Sequence, residues 1–137
     1  MIGPITWTTE IATGIVWQDH QHKELLGAIN NLREKFSTER DTDGSNIELI
    51  NFLIYYTGDH LGIEEEYMDI LNYPDAQQHK NQHMEFLSKV DQLKYLSSFS
   101  VNMNNAALFN DLAGWFFKHI NNSDRRLGVF LKDNGIR

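Results

Sequence analysis

The amino-acid sequence predicts an all-α protein, an antiparallel up-down four-helix bundle with an N-terminal arm. Apolar residues recur at steps of three and four along most of the chain, which is the spacing of amphipathic helices. Only two prolines, Pro4 and Pro74, interrupt the sequence, so long stretches are free to be helical. The joins between the apolar stretches are short and polar, and short joins favour antiparallel neighbours in a bundle.

Residues 1–17, which include Trp7 and Trp17, lack clear periodicity. We expect them to form an arm packed on residues 18–137, which make the four-helix bundle and a C-terminal segment. Each of the four predicted helices has an apolar stripe. The stripes are Leu25, Ile29, Leu32 and Phe36 in the first helix; Leu49, Phe52, Leu53, Tyr56, Ile63 and Tyr67 in the second; Phe86, Leu87, Val90 and Leu93 in the third; and Leu108, Leu112, Trp115 and Phe116 in the fourth.

Local signals indicate where two of these helices begin. Ser45 followed three residues later by Glu48 forms a capping box and predicts the start of the second helix. Pro74 and Asp75 suit the first turn of the third helix. The joins are then expected at about residues 38–44, 72–74 and 97–104.

Length and composition restrict the class of protein. A chain of 137 residues suits one domain, here residues 1–137. The net charge of −7 argues against nucleic acid or an anionic membrane surface as a partner. The sequence has no cysteine, so a metal would need nitrogen and oxygen ligands. No basic segment followed by an apolar one opens the chain, and no membrane-length apolar run occurs, so we expect a cytoplasmic protein.

The first two predicted helices each turn a histidine toward the core. His22 lies three residues before Leu25, on the buried stripe of the first helix. His60 follows Tyr56 by four residues, and Glu64 follows His60 by one further turn on the same face. The second helix therefore carries a histidine and a carboxylate inward together.

The third and fourth predicted helices do the same. His79 and His83 are four residues apart, so two side chains one turn apart can reach one ion. His119 extends the fourth stripe by four residues beyond Trp115. A lone histidine on an apolar face is usually a satisfied core residue. Five such rings in one small core would leave polar groups that cost about 1–3 kcal/mol each if unpaired, which favours a metal site.

Asp124 completes the candidate ligand set only if the fourth helix is distorted. It lies five residues after His119, beyond one regular turn, so we expect the helix to end or deform at the Asn-Asn-Ser of residues 121–123. With Glu64, the set then has five histidines and two carboxylates. Seven ligands are too many for one zinc ion and suit two six-coordinate first-row ions bridged by carboxylates.

At this point the sequence resembles a hemerythrin of the single-domain bacterial kind, over nearly the whole chain. The matching motifs are Trp7, the run 19–23 (Asp-His-Gln-His-Lys), the run 60–65 with Met68, Tyr73-Pro74, the run 79–83 and the run 119–124. The resemblance implies that His79, His83 and His119 hold one iron, that His22 and His60 hold the other, and that Glu64 and Asp124 bridge them with a solvent-derived oxygen.

The resemblance also implies an open position on the second iron, where such proteins bind dioxygen reversibly. The role implied is oxygen transport, storage or delivery, with an oxygen-using enzyme or a separate effector protein as the kind of partner. An apolar pocket would surround that position, made by Leu25, Leu61, Trp115, Phe116 and Ile120. Two of these depart from the family pattern, because Leu61 stands where Phe is common and Phe116 where Leu is common.

Two other functions remain open from the sequence. A di-iron oxidase or peroxidase would be expected to carry two Glu-x-x-His motifs and further glutamates, whereas this chain has His-x-x-x-Glu once, at His60 and Glu64. A sensor of oxygen, nitric oxide or iron would use the same site, and with no further domain before Arg137 it would act through a separate partner.

The remaining ionisable residues near the motifs are predicted to be ordinary surface groups. His20 lies about 200° round the helix from His22, so we expect it to be exposed. Glu65 and Glu66 adjoin Glu64 but turn away from its face, and we expect both to be solvated.

Overall fold

The computed structural model describes residues 6–37, 45–97 and 105–137, and the described residues are helical apart from the arm, one turn and the chain end. The elements are a 3₁₀ turn at Thr9–Ile11, α1 (Val16–Ser37), α2 (Ser45–Ile70), α3 (Ala76–Ser97), α4 (Asn105–His119), a π-helical turn at Ile120–Asp124, and α5 (Arg125–Asp133). Helix α1 packs on α2, α2 on α3, α3 on α4, and α4 back on α1. The predicted all-α four-helix bundle is confirmed.

Two of the predicted joins lie outside the described residues, the first at 38–44 and the last at 97–104 except for residue 97. Helix α2 begins at Ser45, as the capping signal predicts, although the side chain of Ser45 is outside the described part of the chain. No helix in the described ranges is both long and apolar enough to cross a membrane. The single domain at residues 1–137 and the cytoplasmic location stay predictions.

The N-terminal arm packs on the bundle as predicted, but it is shorter than expected because α1 begins at Val16, inside the predicted arm. Trp7 packs against the main apolar cluster, and the ammonium of Lys23 lies 4.2 Å from the centre of its ring. The Asp19 carboxylate explains why α1 begins before the predicted end of the arm. It accepts hydrogen bonds from the backbone N–H of Thr13 at 2.7 Å and of Gly14 at 3.1 Å, which fixes the chain just before the first turn.

The turn between α2 and α3 has the hydrogen bonds of a Schellman motif. Asn72 has φ +55°, the backbone N–H of Tyr73 donates to Met68 O at 2.9 Å, and Tyr73 and Met68 pack in one apolar cluster. Pro74 and Asp75 were expected in the first turn of the third helix. This prediction is wrong, because α3 begins at Ala76. They form the turn that precedes Ala76, because Tyr73 O accepts the Ala76 N–H.

Helix α5 was not predicted, since residues after 124 were treated only as a C-terminal segment. It buries Leu127 and Leu131 and ends in a second Schellman motif, with Gly135 at φ +83° and the Ile136 N–H bonded to Leu131 O at 2.9 Å. The apolar pair four residues apart and the following glycine are signals from which this helix could have been found.

Two apolar clusters divide the core. The larger contains Leu25, Leu53, Phe86 and Phe116, and the smaller contains Ile15, Met68, Tyr73, Leu127 and Leu131. Along α2, Leu53 of the first cluster and Met68 of the second are separated by His60 and Glu64. Along the continuous run of α4, the π-helical turn and α5, Phe116 and Leu127 are separated by His119 and Asp124. The polar residues therefore occupy a layer between two apolar regions.

Candidate metal centre

All seven residues predicted as ligands are buried in this polar layer. Each of the four bundle helices contributes at least one of them. The side chains are at most 4% exposed, and they are His22 on α1, His60 and Glu64 on α2, His79 and His83 on α3, His119 on α4 and Asp124 at the end of the π-helical turn. The structure therefore brings together every residue of the predicted set.

Three of the histidines form one group with the two carboxylates. In this three-histidine group the Nε2 atoms face one oxygen of each carboxylate. His79 Nε2 lies 3.0 Å from Asp124 Oδ1 and 3.3 Å from Glu64 Oε1. His83 Nε2 is 3.1 Å from Glu64 Oε1, and His119 Nε2 is 3.1 Å from Asp124 Oδ1.

The other two histidines form a second group on the opposite oxygens of the same carboxylates. In this two-histidine group His22 Nε2 lies 2.9 Å from Asp124 Oδ2, and His60 Nε2 lies 3.1 Å from Glu64 Oε2. Glu64 and Asp124 thus each turn one oxygen to the three-histidine group and the other oxygen to the two-histidine group. This is the arrangement that two bridging carboxylates require.

The donor atoms fit metal ions better than they fit one another. Among the residues that the structure describes, the Nε2 atoms of His22, His60, His83 and His119 have no hydrogen bond and are buried, although each has a carboxylate oxygen within 3.1 Å. Neighbouring ligand atoms on an octahedral ion lie about 3 Å apart when each metal–ligand bond is about 2.1 Å. The observed spacing therefore matches lone pairs that converge on common ions, and an ion would satisfy the orphaned nitrogens.

The π-helical turn places Asp124. In a regular α-helix a residue five positions on lies about 140° round the axis from its starting residue. In a π-helix residues five apart are hydrogen-bonded partners and lie about one turn apart. The π-helical turn at Ile120–Asp124 follows His119 directly, so the carboxylate of Asp124 comes back to the face that His119 occupies. The predicted distortion at residues 121–123 is confirmed.

Three histidines have an acceptor behind the ring. His60 Nδ1 donates to Gln21 Oε1, and His119 Nδ1 donates to Gln82 Oε1 at 2.7 Å. His83 Nδ1 donates to Glu65 Oε2 at 2.9 Å. An acceptor on Nδ1 fixes the tautomer in which Nε2 presents its lone pair inward. Three donors are therefore held ready for a metal.

Glu65 corrects one prediction. We expected it to be solvated with Glu66, but its side chain is only 34% exposed and its carboxylate faces His83. The reason is that His83, on the neighbouring helix, comes within reach of the helical position next to Glu64. Glu66 and His20 are exposed, as predicted, and the side chain of His20 is 71% exposed.

Sequence reasoning also missed side-chain amides around the ligands. Gln18 is fully buried and its Nε2 donates to Glu64 Oε2 at 2.7 Å. Gln82 Oε1 accepts a second hydrogen bond, from Ser123 Oγ at 2.6 Å. Gln18 stands one helical turn before His22, so its spacing was a usable signal. Gln21 and Gln82 gave no such signal, because each supports a histidine ring on a helix other than its own.

Charge in the site favours ionised carboxylates. Burial raises the pKa of Glu64, and the nearby Asp124 raises it further, but the imidazoles of His60 and His79 outweigh both and hold it well below its usual range. Burial likewise raises the pKa of Asp124, and His119, His22 and His79 lower it well below normal. Burial lowers the pKa of His79, yet the two carboxylates raise it to about 9. Anionic oxygens are therefore available in the layer.

The residues predicted for an oxygen pocket are buried or half-buried, and two of them have rings that contact ligand histidines. Leu25, Phe116 and Ile120 belong to the larger apolar cluster, and Leu61 is 4% exposed. The Phe116 ring stands edge-on to His22, with centroids 6.4 Å apart. Half-buried Trp115 instead stacks on His119 of the three-histidine group, with centroids 4.9 Å apart. Phe116 thus faces the two-histidine group and Trp115 the other.

Comparison with known proteins agrees with this fold. The family model of the hemerythrin HHE cation binding domain matches residues 13–131, and the chain belongs to the hemerythrin family. Bacteriohemerythrin of Pseudomonas aeruginosa (strain PAO1) is 28% identical over 120 residues, covering 88% of this chain and 76% of the relative. Bacteriohemerythrin of Stenotrophomonas maltophilia (strain R551-3) is also 28% identical, with coverages of 88% and 77%. A crystal structure of wild-type hemerythrin superposes with a TM-score of 0.80 at 23% identity, covering 92% of this chain and 96% of that one.

The first prediction separates ligands from a bystander. His79→Ala removes a donor that faces both carboxylates, so the purified variant should lose most of its bound metal. His20→Ala removes an exposed ring and should keep the metal. Elemental analysis of the two variants, prepared in parallel, checks this. Metal loss in His20→Ala would mean that α1 is rotated relative to the arrangement described above.

The second prediction concerns Glu65. Glu65→Gln keeps the length of the side chain but removes the charge behind His83, and it should weaken metal affinity about 10–100-fold, as other losses of such partners do. Glu66→Gln makes the same charge change at an exposed position and serves as the matched control. Competition with a chromophoric chelator measures both affinities. Equal affinities in the two variants would remove Glu65 from the site.

Proposed function

We propose that this chain binds two iron ions, one at each histidine group, and binds dioxygen reversibly at the two-histidine group. The observation that carries the proposal is the division of each carboxylate, with one oxygen turned to each group. The ligand set implied is His79, His83 and His119 for one ion, His22 and His60 for the other, and Glu64 and Asp124 as bridges.

The donor chemistry supports iron and supports two ions. All donors are imidazole nitrogens or carboxylate oxygens, which suit first-row ions of intermediate softness. Counting the shared carboxylates for both ions, the three-histidine group offers five protein donors and the two-histidine group offers four. Structural zinc sites close at four ligands, so five converging donors favour an ion of higher coordination number. The group with four donors has more room for an exogenous ligand.

Ligand charge supports binding over oxidation of a substrate. When bound, a ferrous pair would supply the electrons that hold dioxygen. Five neutral imidazoles and only two carboxylates provide little negative charge to stabilise iron above the ferric state. We therefore propose an oxygen-binding protein that is not an enzyme, with carriage, storage, delivery and sensing through a partner all using the same site. The names of the bacterial relatives support the same class.

The chain's own residues would keep water away from the bound ligand. Leu25, Phe116 and Ile120 are at most 1% exposed, and Phe116 covers the edge of His22. Leu61 adds a buried apolar side chain beside His60. Water and protons promote autoxidation, in which oxygen would leave with electrons taken from the iron. Excluding water and protons would therefore slow autoxidation.

The third prediction tests this function directly. Protein produced with ample iron should contain about two irons per chain by elemental analysis. After anaerobic reduction it should develop a visible charge-transfer band on exposure to oxygen, and the band should disappear on deoxygenation. Removal of iron should lower the melting temperature, because a ligand that binds only the folded state stabilises that state.

Three results would count against the proposal. One zinc per chain would exclude the di-iron site. A reduced protein that oxidises at once and irreversibly would favour an enzyme or a sensor. An unchanged melting temperature after verified iron removal would argue that the buried site does not hold the metal.

The fourth prediction concerns the pair Leu61 and Phe116. If the ring of Phe116 occupies space that a Phe after His60 fills elsewhere in the family, Phe116→Leu alone should open a void to solvent and speed autoxidation. Leu61→Phe combined with Phe116→Leu should slow it again. Neighbouring substitutions that share a cavity are non-additive by about 0.5–3 kcal/mol, so the measurement is a double-mutant cycle on the autoxidation rate. Rates that simply multiply would show that the two side chains do not share a cavity.

A further inference from the structure

Positive charge is concentrated at the C-terminal end of the sequence. Residues 118–137 contain five of the twelve lysines and arginines but only two of the nineteen acidic residues, which gives +3. Residues 1–117 contain the other seven basic and seventeen acidic residues, which gives −10. The solubility of an acidic chain does not require this local excess of positive charge, so it calls for a separate explanation.

Three of these cations line one cavity. The cavity is about 710 Å³ in volume, within the range of about 300–1,000 Å³ that small-molecule sites occupy. We call it the basic pocket, and its polar lining is Thr13, Asn121, Asn122, Arg125, Arg126 and Lys132. The N-terminal arm forms one wall, and the π-helical turn with α5 forms the other.

The cations of the basic pocket have no acidic partner. Elsewhere in the described chain Lys80 pairs with Asp69 at 2.6 Å and Lys89 pairs with Asp111 at 2.7 Å. Within the described ranges no carboxylate oxygen lies within 4.0 Å of Arg125, Arg126 or Lys132. Like charges gathered round one cavity repel each other unless an anion joins them.

The fold also positions the head group of Lys132. The arm carries Gly14 at φ +81°, and a Cβ built on Gly14 would lie 1.9 Å from Lys132 Nζ. The ammonium therefore rests where any other residue would place its side chain. On the opposite wall Arg125 Nη1 donates to Asn121 Oδ1 at 3.3 Å. One lysine head group is thus held against the arm while an arginine is tied to the π-helical turn.

We propose that the basic pocket binds a small oxyanion with at least two negative charges, of the phosphate or organic phosphate class. Arginine guanidinium groups offer paired N–H donors that match phosphate oxygens, and Lys132 adds a point charge. The side-chain amide of Asn121 and the second amide hydrogen of Asn122 offer further neutral donors. A long polyanion such as nucleic acid would also meet the −10 of the remaining chain, so the charge distribution favours a small ligand.

The position of the pocket is separate from the proposed iron ligands but adjacent to them in sequence. Asn121 and Asn122 belong to the π-helical turn that joins His119 to Asp124. None of the pocket cations belongs to either donor group. The inference therefore does not depend on the proposed function, and each can fail without the other.

Isothermal titration of the iron-loaded protein with sodium pyrophosphate at low ionic strength tests the proposal. We expect one saturable site in the unmodified chain and at least tenfold weaker binding in Arg126→Gln and in Lys132→Gln. Lys94→Gln removes an exposed charge on α3, outside the pocket, and should bind like the unmodified chain. Circular dichroism melting of each variant shows that it is folded.

Comparison between variants distinguishes binding in the basic pocket from heat produced by chelation of iron. Chelation of iron by pyrophosphate would be the same in all three variants, so equal binding in the pocket variants and in Lys94→Gln overturns the proposal. Absence of saturable binding overturns it as well. A parallel titration with adenosine diphosphate separates the sources of the phosphate. Tighter binding of the nucleotide supports an organic phosphate, and tighter binding of pyrophosphate supports an inorganic one.

Discussion

The burial of five imidazole rings and two carboxylates in one layer constrains the rest of the structure. Polar groups at this depth cost free energy unless each has a partner, and most of the inward Nε2 atoms have no hydrogen bond. Cations in the two groups of donors, as proposed, would remove that cost and stabilise the layer. The bundle supplies the geometry, because four helices round one axis bring side chains from all sides to the same height. Apolar clusters on both sides of the layer then keep water from competing for the donors.

The support of the ligands follows a regular order round the bundle. Gln21 stands next to the ligand His22 on α1 but supports His60 on α2. Glu65 stands next to the ligand Glu64 on α2 but supports His83 on α3, and Gln82 stands next to His83 on α3 but supports the histidine of α4. Helices α1, α2 and α3 thus each orient a ligand histidine of the next helix. A shift of one helix would disturb both the ligand it carries and the ligand it supports, so the site and the packing of the bundle depend on each other.

Because the residues that support the histidines lie on neighbouring helices, the sequence predicts the ligands but not these supporting residues. His22, His60 and His119 continue apolar stripes of their own helices, and that periodicity is visible in the sequence. The spacing of His119 and Asp124 even indicated the distortion between them. The side chain of Glu65 lies off the inward face of its own helix, so its role becomes visible only when α3 is placed beside α2. Contacts between helices depend on rotation and height, and the chain encodes neither of these in its local pattern. Helix α5 is a different case, since its apolar spacing and terminal glycine were present in the sequence and were not used.

In the described part of the chain, hydrogen bonds on Nδ1 support two rings of the three-histidine group and one ring of the two-histidine group. In the three-histidine group a carboxylate stands behind His83 and an amide behind His119, so two rings are fixed by hydrogen bonds. In the two-histidine group an amide supports His60, whereas His22 Nδ1 is buried without a hydrogen bond in the described part of the chain. On its Nδ1 side His22 is oriented by packing, with the His60 ring at 4.9 Å and the Phe116 ring at 6.4 Å between centroids. An ion held by fewer donors, one of them without a hydrogen-bonded support, adjusts its coordination at lower cost when an exogenous ligand enters or leaves. The proposed reversible binding would therefore disturb the fold least at the two-histidine group.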